Sequence, residues 1–448
     1  MEFLDVVLLS RIQFAMTVGF HFLFPPLTIG MAWIIVIMQT LYLRTNHDLY
    51  QKMSYFWIKL FAISFVVGVA SGIVMEFQFG TNWSEYSRFV GDIFGAPLAA
   101  EGILAFFLES AFIGVLIWGK ERVSKKFYWF SSLMVALGST LSAFWIIVAN
   151  SWMQTPAGFH INNGRAELTD FWAAVFNPST VPRYLHTVDA ALITGAFFIM
   201  GISAYYLFKK RHLDLAKKSL KIALIVALVA SLMQGVLGHS HAVQVAHTQP
   251  EKLAAFEGIF ETETEAPLLI FGIPDGEERT VHFAVGIPKL LSWIAFGDTS
   301  AEVKGLNDYP KEEWPPLGIT FISFHLMVGL GVLFIGTTLL GAYLLRRGTI
   351  YQNPLYLKLL MFCIPLPFIA NELGWIAAEV GRQPWIVYRL MKTVEGASFT
   401  VPAAQVLLSI IVFIAIYAVL FSVWIFLLKR KIAEGPTESV PSTKGVRM

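Results

Sequence analysis

Cysteine is almost absent from this sequence, which has a single residue of that type among 448. That residue, Cys363, lies in the apolar stretch MFCIPLPFIA, where a small side chain suits helix packing. One thiol cannot form an intramolecular disulfide or supply the ligands of a cysteine-bound iron–sulfur cluster. The sequence therefore excludes a disulfide scaffold and an iron–sulfur protein.

Charged residues are also scarce, at 14% of the chain compared with about 25% in soluble domains. The net charge of +2 gives no electrostatic reason to expect nucleic acid as a partner. Apolar runs dominate instead, and they are long enough to cross the roughly 30 Å of hydrocarbon in a lipid bilayer. We predict an all-α, polytopic membrane bundle with about nine spanning helices. They lie near residues 11–43, 54–79, 95–118, 126–150, 184–208, 218–238, 317–345, 355–376 and 401–428.

We predict that the N-terminal MEFLDVVLLSRIQF is not a secretory leader, because it has neither a basic start nor a small-residue cleavage site. We interpret it as mature sequence. The chain divides into the first six spanning helices within 1–238, a long loop over 239–316, the last three helices within 317–432 and a tail over 433–448. The tail is polar and carries Pro, Ser and Thr, so it is expected to be disordered.

The stretch from Gly238 to Pro316 is polar, whereas most of the chain is apolar. Its histidines come first and its acidic residues follow. Segments longer than about 15 residues without regular structure are uncommon unless they are functional or disordered. We predict that this stretch covers a binding site for an apolar, membrane-dissolved reductant. His239, His241 and His247 have an HxH…H spacing that suits either a metal ion or hydrogen bonding at the membrane surface.

Basic residues indicate which side of the membrane each connection occupies, since short cytoplasmic loops are rich in Lys and Arg. The connections that are rich in Lys and Arg alternate along the chain with connections that contain few of them. They contain Lys120, Arg122, Lys125 and Lys126; Lys209, Lys210, Arg211, Lys217 and Lys218; Arg346 and Arg347; and Lys429, Arg430 and Lys431. With nine helices, the N-terminus and the long loop are predicted to lie outside and the C-terminus inside.

Five polar or sulfur-bearing residues lie within or beside the spans, where ionisable groups are costly and usually functional. They are His21, Glu101, His186, Met327 and Glu379, and all fall in the predicted outer half of the membrane. Taken singly, an intramembrane histidine can form a hydrogen bond between two helices, and a methionine usually packs in the protein core. Together they predict a haem-bearing bundle, because His and Met are axial ligands of six-coordinate haem iron. The rivals are a haem-free transporter or proton channel, and a cytochrome that only passes electrons to another protein.

Glu101 is followed eight residues later by Glu109. On an α-helix the two side chains project within about 80° of each other. They suit a proton path, or they pair with polar neighbours such as Ser110.

Five ordered motifs give this chain a close resemblance to subunit I of the cytochrome bd-type quinol oxidases. They are FGTNWSEYS (79–87), EGILAFFLES (101–110), QPEKLAAFEG (249–258), FHLMVGLG (324–331) and GWIAAE followed by GRQPW (374–379 and 381–385). The resemblance covers the whole chain except the tail. The ordered set is far more specific than GRQPW alone.

The resemblance implies ligands for three haems. His186 and Met327 match the axial ligands of a low-spin haem b, and His21 and Glu379 match ligands of two high-spin haems. Of these two, one is a haem b and the other is haem d, or a further haem b in its place. Which of these two haems is bound by His21 and which by Glu379 stays open. Trp375 matches an aromatic residue between haems, and Arg382 could pair with haem propionates.

The resemblance also implies a reaction. Lys252 and Glu257 match loop residues linked to quinol oxidation. Glu101 matches a carboxylate beside the high-spin haems, and Glu109 matches a carboxylate linked to proton delivery. Such a subunit oxidises membrane quinol, either ubiquinol or menaquinol, on the outer side. It reduces dioxygen to water with cytoplasmic protons and generates proton motive force without a pump. It resembles one half of a heterodimer with subunit II, with a small single-helix subunit as a further partner, in a bacterial cytoplasmic membrane.

Two positions depart from the family pattern. The family often has an arginine two residues before the haem methionine, whereas this chain has His325. An imidazole there would change the local charge and the potential of that haem. The loop is also of the short type, so quinol-binding detail does not transfer from long-loop relatives.

Overall fold

The structure is a computed structural model that describes residues 5–436, apart from the side chain of Leu104. Within this part of the chain, nine helical segments are long and apolar enough to cross a membrane, which confirms the predicted number. The segments are Val6–Thr45, Asp48–Thr81, Ser84–Trp118, Lys125–Gln154, Thr180–Phe208, Leu213–Thr248, Leu317–Arg346, Pro354–Val380 and Ala403–Glu434.

Three of these spans are built from more than one helix. The first is interrupted at Leu23, because Pro25 and Pro26 follow at the start of the next helix and cannot continue the previous hydrogen-bond ladder. The α-helices are α1 (Val6–Phe22), α2 (Phe24–Thr45), α3 (Asp48–Thr81), α4 (Ser84–Ala100), α5 (Phe107–Trp118), α6 (Lys125–Gln154), α7 (Phe171–Val175), α8 (Thr180–Phe208), α9 (Leu213–Thr248), α10 (Pro250–Glu257), α11 (Leu290–Phe296), α12 (Leu317–Arg346), α13 (Pro354–Phe362), α14 (Leu366–Val380), α15 (Thr393–Gly396) and α16 (Ala403–Glu434). A π-helix, Glu101–Phe106, joins α4 to α5.

The strands are short and lie between the spans. They form four antiparallel pairs: β1 (Phe159–Asn162) with β2 (Arg165–Leu168), β3 (Glu263–Thr264) with β6 (Glu302–Val303), β4 (Leu268–Asp275) with β5 (Thr280–Ile287), and β7 (Trp385–Val387) with β8 (Met391–Lys392). Short 3₁₀ turns cover Leu306–Asp308 and Lys311–Glu313. The predicted all-α class therefore holds, with small hairpins confined to the connections.

The main core forms where α2, α3, α8 and α9 pack together, around buried side chains such as Trp57, Phe197 and Leu220. α2 and α8 approach so closely that a Cβ atom on Gly195 would lie 2.4 Å from the carbonyl carbon of Gly30. Close backbone approach through small residues is how membrane helices gain packing contacts that lipid cannot supply. A second core lies under the connection after α9 and contains Leu253, Phe260 and Leu306, among others.

Several boundaries differ from the sequence prediction; for example, the third span begins at Ser84 and not near residue 95. The sixth span does not end at Gly238 but continues to Thr248, so His239, His241 and His247 lie on α9 and not in the loop. The polar composition suggested a loop, yet nothing breaks the helix before Pro250, which begins α10. The following connection also has its own helices, a hairpin and a core, so it is not irregular. In the predicted disordered tail, α16 reaches Glu434, and residues 437–448 lie outside the described residues.

Candidate functional site

One large internal cavity, of about 1630 Å³, opens between the spanning helices and below α10 and β4. Its walls come from α1, α3, α6, α8, α9, α12 and α14 and from the π-helix. Every candidate site residue from the sequence lines it: His21, Glu101, Glu109, His186, Lys252, Glu257, Met327, Trp375, Glu379 and Arg382. The chain therefore brings together residues that are far apart in sequence.

His21 lies in the last turn of α1 with its ring held from one side. Its Nδ1 atom lies 3.0 Å from the hydroxyl of Ser71 on α3. A Cβ atom on Gly72 would come within 3.0 Å of the ring, so the glycine leaves the space that the imidazole occupies. A hydrogen bond at one ring nitrogen orients a histidine and leaves the other, Nε2, for an iron.

His186 and Met327 line the same cavity from α8 and α12. The Nε2 atom of His186 lies 3.2 Å from the side-chain nitrogen of Gln234, whereas its Nδ1 atom is buried without a partner. Glycines face both side chains: a Cβ atom on Gly238 would lie 3.5 Å from the His186 ring, and one on Gly374 would lie 2.8 Å from the Met327 sulfur. Because buried polar atoms are nearly always paired, the free nitrogen fits an imidazole that binds a further group.

Glu379 lies at the centre of a buried ionic cluster. One carboxylate oxygen accepts from Arg183, with Nη2 at 3.4 Å, and from Gln154, with Nε2 at 3.2 Å. The other oxygen accepts a close hydrogen bond from Arg382. Two guanidinium groups therefore share one carboxylate, and the Nε and Nη1 atoms of Arg382 are buried without a partner. The cluster has an excess of positive charge and free donors that suit the carboxylates of haem propionates.

Glu101 and Glu109 contact hydroxyl groups of α6. Ser142 donates to Glu101 at 2.7 Å, and Ser139 makes a close hydrogen bond to Glu109. The predicted angle of about 80° between the two glutamates assumed an α-helix. Glu101 instead begins a π-helical segment, to which 3.6 residues per turn does not apply. Both nevertheless reach the cavity.

α10 closes the cavity and carries Lys252 and Glu257, both almost fully buried, at 3% and 2% exposure. Lys252 Nζ donates to the amide oxygens of Gln154, at 2.5 Å, and Gln249, at 2.8 Å. Burial, and then the positive charges of Arg183 and Arg382, hold the pKa of Lys252 well below its usual range. The amine therefore acts as a buried hydrogen-bond donor on the cavity wall.

Glu257 lies in an apolar setting at the end of α10. Burial raises the pKa of its carboxyl to about 8, although a hydrogen bond from the Leu269 N–H acts in the opposite direction. Its Oε2 atom is buried without a partner. The group can therefore gain or lose a proton close to neutral pH, as a proton acceptor must.

Several residues of the site escaped the sequence analysis. Arg183 lies one turn before His186, at the start of the same span. Its ionisable side chain at that position is the sequence feature that could have identified it as a site residue. Glu76 lines the cavity close enough to Glu101 for their charges to interact. Gln154, at the end of α6, bridges Lys252 and Glu379, and no motif marks it.

The histidines of the HxH…H pattern do not form a metal site. His241 lines the cavity, with its ring centroid 5.7 Å from that of His186, whereas His247 packs edge-on against Phe296. Over residues 5–436, the cluster of side chains that could hold a metal is Asp275, Glu278 and His282, at the exposed turn between β4 and β5.

The fold and the cavity define a class: a multi-pass membrane protein whose histidine, methionine and arginine side chains fit haem. A family model described as cytochrome bd terminal oxidase subunit I matches residues 9–436. The chain belongs to that family, which implies haem cofactors and an oxidase complex with other subunits.

Individual relatives agree with this assignment. The chain is 45% identical over 439 residues to cytochrome bd ubiquinol oxidase subunit 1 of Bacillus subtilis (strain 168), covering 96% of this chain and 94% of the relative. It is 37% identical to cytochrome bd-II ubiquinol oxidase subunit 1 of Escherichia coli (strain K12), covering 97% of each. The fold is similar to the bd oxidase from Geobacillus thermodenitrificans, with a TM-score of 0.90, 33% identity, and coverage of 97% of this chain and 100% of that one. These comparisons give no support to a haem-free transporter.

Proposed function

We propose that this terminal oxidase subunit oxidises a membrane quinol beneath the connection between α9 and α12 and delivers the electrons to dioxygen in the spanning bundle. The observation that carries this proposal is the convergence of the candidate residues on one cavity closed by α10. The B. subtilis and E. coli relatives are both named ubiquinol oxidases, which supports a quinol as the substrate.

His186 and Met327 are the residues that would hold a low-spin haem b, and His21 and Glu379 would serve a high-spin haem b and a haem d, or a further haem b in its place. The haems, when bound, carry single electrons and bind dioxygen. Arg382, with its free buried donors, would neutralise propionates. Trp375 lines the cavity from α14 and would provide an aromatic group between haems.

The quinol head group is assigned to the wall formed by α10. Lys252 would orient it through its buried amine, and Glu257 would accept a proton from it. Because burial raises the pKa of the Glu257 carboxyl to about 8, its carboxylate is a stronger proton acceptor than an exposed one. Its release would be to the outer side.

Protons for oxygen reduction would come from the cytoplasm and reach the cavity through the carboxylates of the third span. Glu109 and Glu101 lie along it, each in contact with a hydroxyl of α6. Quinol protons leave outside and reaction protons enter from inside, so charge is separated across the bilayer without a pump.

The orientation and partners follow from the same assignment. The basic connections between α5 and α6, α8 and α9, and α12 and α13 are assigned to the cytoplasm, as is the C-terminus, and the N-terminus lies outside. The membrane would be the bacterial cytoplasmic membrane. The other subunits of the complex would be subunit II and a small single-helix protein.

The pH dependence of quinol oxidation tests Glu257. Only the ionised carboxyl accepts a proton, so kcat/KM for a soluble quinol should rise as pH increases through about 8, the pKa of Glu257, and then level off. Glu257→Gln should abolish this rise. It should also lower kcat/KM by about 10-fold. This loss is smaller than the loss expected on removal of a sole general base, because water on the outer side of the membrane also accepts protons.

The matched control is Glu277→Gln, at an exposed position of the same connection where Glu277 pairs with Lys311. The purified oxidase is assayed by oxygen uptake. If Glu257→Gln keeps the wild-type profile, Glu257 is not the proton acceptor.

A further inference from the structure

The start of α12 is attached to the connection above it by one row of aromatic side chains. Phe324 stacks face to face on Phe256 of α10, with centroids 4.5 Å apart and planes 3° apart. Phe321 lies against the end of α10, where a Cβ atom on Gly258 would come within 3.3 Å of its ring. The helix that carries Met327 is therefore in direct contact with the segment that carries Lys252 and Glu257.

His325 adds the polar part of this contact. Its Nε2 atom lies 3.1 Å from the carbonyl oxygen of Leu269 in β4, and its Nδ1 atom lies 2.9 Å from the carbonyl oxygen of Phe321 one turn earlier. Its ring also stacks on Phe321, with centroids 3.9 Å apart. A carbonyl oxygen only accepts hydrogen bonds, so the bond to β4 requires that the proton of the imidazole is on Nε2.

Leu269 is the residue that links this bond to the quinol site. Its carbonyl oxygen accepts from His325, and its N–H donates to the Glu257 carboxylate. The N–H and C=O of one strand residue project to the same side, so a single peptide segment can serve both partners. β4 is also irregular here, with register shifts on both sides of Phe271. The bond to His325 therefore fixes a part of β4 that its own ladder constrains weakly.

We propose that His325 is a positioning residue for quinol oxidation: by donating to Leu269 it holds β4 so that the Leu269 N–H stays on Glu257. This inference rests on the proposed role of Glu257. It assigns to His325 a task that differs from a direct effect on the haem beside Met327. Loss of the bond lets β4 move away from α12 and leaves Glu257 without its donor.

Two substitutions of His325 by amide residues test the hydrogen bond to Leu269 separately from the other contacts of the side chain. The amide nitrogen of His325→Gln can occupy the place of Nε2 and donate to Leu269, whereas that of His325→Asn reaches only the place of Nδ1. Ser323→Ala is the control on the same helix, because the Ser323 hydroxyl donates only to α12 carbonyl groups. All variants are purified as the complete oxidase with its partner subunits.

Hydrogen–deuterium exchange of residues 268–275 is the first readout, and it depends on neither haem nor turnover. We expect His325→Asn to exchange about 3- to 10-fold faster than wild type, the range for loss of one hydrogen bond. Its KM for quinol should rise by a similar factor with the low-spin spectrum retained. His325→Gln should recover most of the protection and most of the KM, and Ser323→Ala should match wild type.

Each other outcome has a defined meaning. Equal exchange in His325→Asn and His325→Gln overturns the proposal, because the bond to Leu269 would then not hold β4. Faster exchange with an unchanged KM also overturns it, provided that Glu257→Gln alters kcat/KM. If neither substitution alters quinol kinetics, the failure belongs to the proposed quinol site itself.

Discussion

Met327→Leu is expected to abolish the low-spin haem signal and to lower quinol-driven oxygen uptake by at least about 10-fold. A thioether can bind iron and an isobutyl group cannot, so the iron loses an axial ligand and becomes high-spin. Even substitutions of groups that merely support a metal ligand cost about 10- to 100-fold, and loss of the ligand should cost no less. The reduced absorption spectrum and oxygen uptake measure the two effects.

Met200→Leu is the matched control for this substitution. Met200 is fully buried in the main core on α8 and does not line the cavity. A Met-to-Leu exchange in a core usually costs less than about 1.5 kcal/mol, so the control should fold and keep both signals. A low-spin spectrum that survives Met327→Leu would show that another residue binds that iron.

Glu379→Gln is expected to remove a high-spin haem and to destabilise the protein at the same time. Glu379 is the carboxylate of a buried cluster that also contains Arg183 and Arg382, all with side chains less than 15% exposed. Without its charge, both guanidinium groups lie buried beside Lys252 and lose the carboxylate that pairs with them within residues 5–436. Removing one partner of a buried ion pair typically costs about 3–5 kcal/mol. Oxygen uptake should be lost, whereas the low-spin signal from His186 and Met327 should remain in the folded fraction.

Glu372→Gln tests whether these effects belong to Glu379 or to any carboxylate of α14. Glu372 is on the same helix, two turns earlier, and makes no ion pair within the part of the chain that the structure describes. It should keep high-spin haem and thermal stability. Haem content by spectroscopy and the unfolding temperature in detergent separate ligand loss from misfolding. Full high-spin haem in Glu379→Gln would exclude Glu379 as a ligand.

The spans were predictable from the sequence because each depends on local composition. Apolar length sets whether a helix can cross the bilayer, and that property is read directly from the residues. The end of α9 was missed because its last turns are polar, and some of their side chains, such as that of His241, line the internal cavity. The π-helix at Glu101 was missed because the sequence gives no signal that distinguishes it from an α-helix.

The candidate site was predictable in part. His21, His186 and Glu101 are costly in a membrane and stand out for that reason. Trp375 and Arg382 look ordinary by composition, and only the motifs around them singled them out. Met327 was singled out by its predicted depth in the membrane, which it shares with the other candidate ligands. Contacts such as that of Lys252 with Gln154, or of His325 with Leu269, join residues far apart in sequence, and no local pattern encodes them.

The haem content of this subunit is tested most directly by the dithionite-reduced minus oxidised absorption spectrum of the purified oxidase, repeated under carbon monoxide. We expect low-spin haem b bands together with a high-spin component that shifts with carbon monoxide. A chlorin band in the red would identify haem d, and its absence with carbon monoxide binding retained would indicate a further haem b. A well-folded complex with no haem spectrum would show that the chain is not a haem-bearing oxidase subunit.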